Sequence, residues 1–207
     1  KTEDYRISGI PVPTTDTPTN NRKPTWNWPA LGGGEYGITL NNNEEIISSS
    51  TEFTPDADLS QGRHTLKVRH RTGSTNPWTD YGYHYVQIDF TAPAKPSPKS
   101  DTPTQNKKPM WTWTKVTGAT KYGIKFNGGS EVEQKSNSYI TLEDLVDGDY
   151  FIEVRAGDDA GNWSDYAKHD VTIDTLSPDS PVPTAVTPSA NNRPTWSWEK
   201  IADAHQY

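Results

Sequence analysis

Tyr81, Tyr83 and Tyr85 alternate in "DYGYHY", residues 80–85, a few positions after Trp78. Residues two apart on a strand share a face, so a ladder of this kind can stack on sugar rings. Its simpler reading is packing on a strand face or against a neighbouring domain. Trp163 stands 85 positions after Trp78 in an equivalent loop, and Tyr166 alone matches Tyr81. Trp78, Trp163, Tyr81 and Tyr83 are therefore the candidate ligand-binding residues.

Nothing else in the chain is arranged for covalent or acid–base chemistry. The five histidines, at 64, 70, 84, 169 and 205, fall in different segments with no recurring Ser or carboxylate partner. His64 aligns with Tyr150 and reads as a packed strand residue. There is no cysteine, hence no thiol nucleophile. "LGGGEYG", 31–37, lacks the Lys-Ser/Thr and the helix that a phosphate loop needs. Glu44–Glu45 and Asp158–Asp159 are sequence neighbours in exposed turns rather than a cleft pair. The expectation is a protein without catalytic activity.

The elements that must position these residues follow from an internal repeat. "PTWNW", 24–28, recurs as "PMWTW", 109–113, and "PTWSW", 194–198, at a spacing of 85. Pro11, Pro96 and Pro181 keep that spacing, as do "VQID", 86–89, and "VTID", 171–174. Tyr36 and Tyr122 differ by 86, which places a one-residue deletion in the loop after Trp28. The chain divides into residues 1–7, the end of a preceding unit or linker; repeat 1, 8–91; repeat 2, 92–176; and the opening of a third repeat, 177–207. It reads as a piece of something longer.

Each repeat reads as short alternating strands divided by turns, the pattern of an all-β sandwich. In "YFIEVRA", 150–156, Tyr150, Ile152, Val154 and Ala156 point inward, and "KYGIKF", 121–126, puts Tyr122, Ile124 and Phe126 on one face. Fourteen of the seventeen prolines lie in 11–24, 93–109 and 178–194. Proline cannot donate to a central ladder, so these openings are linker plus edge strand. Only 30% of residues are hydrophobic, and two indoles on one strand face supply much of the apolar area such a unit needs. Trp26, Trp28, Trp111, Trp113, Tyr36 and Tyr122 are the expected core.

A net charge of −7 makes nucleic acid an unsuitable partner, because phosphate binding needs a basic face. No apolar run approaches the roughly 18 residues of a membrane helix. The absence of cysteine fits the cytosol or an exported bacterial protein and excludes a disulfide-rich ectodomain.

"LVDGDYFIEVRAGDDAGNWS", 145–164, resembles the bacterial immunoglobulin-like repeats of large secreted or surface adhesins, and "QIDFTAP" and "TIDTLSP" resemble the linkers between such modules. The resemblance overlaps fibronectin type III-like modules. It implies tandem Ig-like β-sandwiches on a bacterial surface or in a secreted protein, forming a non-catalytic spacer whose partners are neighbouring repeats of the same chain. A cell-surface or polysaccharide ligand would then be bound through other domains. The alternative is an accessory, glycan-binding module of a secreted polysaccharide-degrading enzyme. The resemblance also implies interdomain calcium, with Asp158, Asp159 and Asp174 as ligands at the second linker and Asp89 at the first. Repeat 1 departs from the pattern, because "HRTGSTNPW", 70–78, lacks the acidic pair.

Overall fold

Alternating side chains and turn residues translate directly into strands. In the computed structural model, which describes residues 9–201, "GRHTLKVRHR" forms a ten-residue strand whose His64, Leu66, Val68 and His70 are buried while the residues between them face outward. Residues 1–7, expected to end a preceding unit, lie outside the described residues, as do His205 and the last residues of the 177–207 segment.

Repeat 1 contributes β1 (Trp26–Asn27), β2 (Glu35–Leu40), β3 (Ile46–Ser48), β4 (Glu52–Phe53), β5 (Gly62–Arg71) and β6 (Gly82–Ile88). Repeat 2 contributes β7 (Met110–Thr112), β8 (Lys121–Phe126), β9 (Val132–Gln134), β10 (Ser138–Ile140), β11 (Gly148–Gly157) and β12 (Ala167–Ile173). Two antiparallel four-stranded sheets have matching orders, β3-β2-β5-β6 and β9-β8-β11-β12, and β1-β4 and β7-β10 form the facing layers. Registers match as well: Lys67 lies opposite Tyr83 in one sheet, and Glu153 opposite Lys168 in the other. No helix occurs among the described residues. The fold is all-β and Ig-like.

The proline-rich openings join both layers. Thr14 exchanges two backbone hydrogen bonds with Asn27 of β1, and Thr19 then bonds to Gln87 and Asp89 along β6. Lys99 and Thr104 do the same with Thr112 and with Thr172 and Asp174. Prolines interrupt this segment, so it pairs at isolated positions instead of forming a continuous strand.

Each four-stranded sheet closes on its own core. Trp26 and Trp28 pack with Tyr36, Ile38, Leu66, Val68, Val86 and Ile88; Trp111 and Trp113 pack with Tyr122, Ile124, Ile152, Val154, Val171 and Ile173. Trp28 meets Tyr36 edge-on at 5.6 Å between centroids, and Trp113 meets Tyr122 at 5.3 Å. Each tyrosine hydroxyl accepts a backbone hydrogen bond, from Leu31 N–H and Val116 N–H respectively. The four indole N–H groups have no hydrogen-bond partner, so these tryptophans act as apolar mass. The third pair behaves differently: Trp196 is 59% and Trp198 47% exposed.

Candidate functional site

The outward residues of β5 are Arg63, Thr65, Lys67, Arg69 and Arg71. Arg69 reaches across β2 to Glu45, with Nε to Oε1 at 2.7 Å and Nη2 to Oε2 at 2.6 Å. The carboxylate lies directly over Gly37, where a Cβ would come within 2.5 Å of Oε1. The Tyr81 hydroxyl donates to the same Oε1 at 2.8 Å. The Arg69 guanidinium sits 4.6 Å from the Trp78 ring and 5.1 Å from Tyr81, and Arg71 covers Trp78 at 4.4 Å while pairing with Glu35. Glu45 is thus no solvated turn carboxylate, contrary to the sequence expectation; the strand opposite supplies a cation that holds it half-buried.

Repeat 2 rebuilds the arrangement with different neighbours. Arg155 forms the same two-pronged pair with Glu131, at 2.8 and 2.6 Å, above Gly123, and Tyr166 donates to Glu131. Arg155 lies 4.2 Å and Lys121 4.7 Å from the Trp163 ring. The Arg69 hydrogen bond holds Glu45 below the usual carboxylate range despite partial burial. For Glu131, burial is the largest influence and pushes upward, but the Arg155 and Tyr166 hydrogen bonds together with the nearby cations outweigh it and the net shift is downward.

The predicted ligand-binding residues therefore separate. Trp78, Tyr81 and Trp163 are half-buried, each with an arginine against its ring. Tyr83 projects from β6 at 61% exposure, with Tyr85 beside it at 45% and 6.4 Å between centroids. Tyr85, rather than Tyr81, is the partner of Tyr83 on the exposed face.

The glycine-rich loop of repeat 1 serves the core. Gly33 presents its carbonyl to His70 Nε2, which donates at 2.6 Å, and the imidazole packs tilted against Tyr36 at 4.9 Å between centroids. A Cβ at Gly34 would fall 2.0 Å from the Arg71 carbonyl oxygen. His64 is held between Asn41 and the Ser60 carbonyl, and Ser100 N–H donates to His169 Nε2. His64 and His169 thus bond to an amide side chain and to backbone atoms.

A contact between the repeats was not legible in the sequence. The 158–162 loop that follows β11 reaches the end of repeat 1. Asn162 Nδ2 donates to the Asp89 carbonyl oxygen at 2.8 Å and to Asp158 Oδ2 at 2.9 Å, and Asn20 N–H donates to the Ala160 carbonyl at 3.0 Å. Asp158 Oδ1 accepts from Asn162 N–H, which fixes the loop. In repeat 1 the corresponding loop, "TGSTNP", closes on itself through Asn76 and Thr72 and has proline where Asn162 stands.

The structure separates the carboxylates expected to share a metal. Gly148 pairs with Ile173, next to Asp174, whereas Asp158 follows Gly157 at the other end of the ten-residue β11. About 30 Å of strand separates them, so Asp174 does not join Asp158 and Asp159; their loop faces Asp89 of the first linker. There the atom lying between the Asp89 carbonyl and the Asp158 carboxylate is an amide donor, not a gap suited to a cation. Among the described residues no three His, Cys, Asp or Glu side chains converge as a metal requires. Asp158, Asp159 and Asp174 are thus not brought together as one ligand set.

The family model for the bacterial Ig-like domain matches residues 86–175. The window starts within β6 and takes in the linker and repeat 2 up to residue 175. Among solved structures, the chain is similar to the FN1–FN3 domains of chicken CNTN1, at 14% identity and a TM-score of 0.54, over 80% of this chain and 66% of that one. It is also similar to the fibronectin(III)-like modules of Clostridium thermocellum CbhA, at 13% identity and a TM-score of 0.50, over 78% of this chain and 94% of that one. The chain thus spans about two thirds of the CNTN1 fragment it matches. No curated protein matches it.

Proposed function

We propose that the chain is part of a non-catalytic array of Ig-like units, with boundaries at 8–91, 92–176 and 177–207, that serves as a spacer in a secreted or surface-anchored bacterial protein. The observation that carries this reading is the contact across the 89–92 boundary, in which the Asn162 side-chain amide and the Asn20 backbone N–H each bond to a carbonyl of the other repeat. A spacer transmits position only if successive units resist bending. Hydrogen bonds at the boundary and a proline-rich connection both limit it. The match of residues 86–175 to the bacterial Ig-like family supports an exported setting.

The test uses the absence of cysteine. Spin labels at Ser49→Cys and Lys135→Cys, one on each repeat, report the distance between repeats. A narrow distribution that broadens in Asn162→Ala is the expected result. A distribution already broad in the parent chain overturns the spacer reading.

A further inference from the structure

The sheet faces of the two repeats carry opposite chemistry at matched positions. On repeat 1, Tyr83 and Tyr85 of β6 stand opposite Lys67 and Thr65 of β5, with Arg63 one same-face step beyond Thr65. At the corresponding positions repeat 2 carries Lys168, Asp170, Glu153, Phe151 and Asp149. Two tyrosines are replaced by charged residues, and both cations by carboxylates, on the same backbone in the same register. The fold does not require what repeat 1 displays here, because repeat 2 folds without it.

The patch is also chemically unfinished. Glu45 and Glu35, carboxylates beside this sheet, are consumed by Arg69 and Arg71. Arg63 lies over the Tyr85 ring at 3.6 Å and Lys67 donates to the Asn42 side-chain oxygen at 2.7 Å, but neither is paired with a carboxylate among the described residues. At 3.6 Å from the Tyr85 ring centroid the Arg63 guanidinium is within stacking distance, and its N–H groups form no ion pair among the described residues. Tyr83 offers a broad apolar surface at 61% exposure. Cross-strand neighbours stand about 5 Å apart, so Lys67 and Tyr83 leave the sheet side by side, with the Lys67 ammonium turned to Asn42. From Arg63 to Lys67 the patch extends about 13 Å along β5, longer than one sugar ring.

We infer that this face of repeat 1 binds an acidic polysaccharide, with a sugar ring stacked on Tyr83 and anionic substituents paired to Arg63 and Lys67. Charge complementarity selects this occupant: in a chain of net charge −7, two cations without anionic partners flank two exposed aromatic rings. A tyrosine offers its face to the C–H side of a pyranose, and a planar guanidinium takes a carboxylate or sulfate through two parallel hydrogen bonds. The inference stands apart from the spacer reading, because a repeat can bind a glycan whether or not its junctions are stiff.

The experiment titrates the full chain, labelled for backbone amide NMR, with three probes: oligogalacturonate for carboxylate, a heparin-derived oligosaccharide for sulfate, and a neutral cello-oligosaccharide. Either acidic probe, or both, is expected to shift amides of residues 63–67 and 82–87, more strongly at low salt, and to leave 149–153 and 167–172 in place. Tyr83→Ala weakens binding at least tenfold. Arg63→Asp with Lys67→Glu installs the residues that repeat 2 already tolerates and abolishes binding, while the unchanged spectrum of the remaining core shows that the fold is kept. Binding of the acidic probes that is indifferent to Tyr83→Ala overturns the stacking site, as do equal shifts on repeat 2. Equal response to the neutral probe overturns the acidic class. No response to any probe overturns the inference.

Discussion

Arg69 and Glu45 meet through two parallel hydrogen bonds, at 2.7 and 2.6 Å, across a strand whose glycine leaves room for the carboxylate. Arg155 and Glu131 repeat the relationship above Gly123. A side chain at that glycine would displace the carboxylate and expose the cation stacked on the tryptophan, so "YG" in "EYGI" and "KYGI" is a structural requirement of the outer face.

The pH dependence follows with a definite sign. Both glutamates titrate below their ordinary value of 4.5, Glu45 because of its Arg69 hydrogen bond, and Glu131 because its Arg155 and Tyr166 partners outweigh the upward push of burial. A depressed folded-state value contributes stability that is fully present above the unfolded-state value and is lost as pH falls through the folded one. The melting temperature is expected to stay level from roughly pH 7 to 5.5 and to fall below about pH 4.5. Glu45→Gln combined with Glu131→Gln lowers the plateau and flattens the acid limb. An acid limb as steep in the double variant as in the parent refutes the assignment.

Asn162 supplies donors to both Asp158 and the Asp89 carbonyl and is itself 9% exposed. Asn162→Ala leaves a carboxylate oxygen and a carbonyl without donors and is expected to cost about 1–3 kcal/mol. The loss has two parts that separate by experiment. Urea unfolding of repeat 2 alone, residues 92–176, registers the Asp158 part, and the same measurement on the full chain adds the contact with Asp89. Equal losses in the two proteins show that the boundary contact contributes nothing.

The Trp pairs test the core. Trp111 and Trp113 are 0% and 4% exposed, and Trp→Ala at either is expected to destabilise repeat 2 by roughly 3–5 kcal/mol. Their indole N–H groups have no partner, so Trp113→Phe removes an unsatisfied donor along with part of the ring and costs less than half as much as Trp113→Ala. Urea midpoints for the two variants decide it: equal losses mean that the indole N–H is satisfied after all.

How much of this was legible in the sequence depends on whether the partners are local. The faces of Trp26 and Trp28, or of Ile152, Val154 and Ala156, follow from strand alternation alone, and all are buried. The 85-residue spacing places Trp78 and Trp163 in equivalent loops, and both rings lie against an arginine from the equivalent strand. What the sequence hides are pairings set by the fold. Glu45 looks like a turn carboxylate until β2 lays it over Gly37 beside Arg69. Asn162 reads as a turn residue because its acceptor, Asp89, is 73 positions away. Asp158 and Asp174 look like companions because they lie in one repeat, but a whole strand runs between them. The short β3 and β9, which complete the four-stranded sheets, carry too few residues to show alternation.

Trp196 and Trp198 occupy the positions of two buried pairs yet are 59% and 47% exposed, held to the opening segment by the exchange of backbone hydrogen bonds between Thr184 and Ser197 at 2.7 and 3.0 Å. Among the described residues their strand lacks the four-stranded sheet that covers Trp26 and Trp111. Indoles in that setting emit at long wavelength and collide freely with a neutral quencher, whereas Trp26, Trp28, Trp111 and Trp113 do neither. Acrylamide quenching of the 207-residue chain is therefore expected to resolve an accessible fraction that shrinks in Trp196→Phe combined with Trp198→Phe to the part contributed by the half-buried Trp78 and Trp163. Thermal unfolding of that variant should coincide with the parent's, because neither ring belongs to the two cores that melt. A shared fall in melting temperature would mean that these indoles pack against repeat 2, and the boundary at residue 176 would have to move.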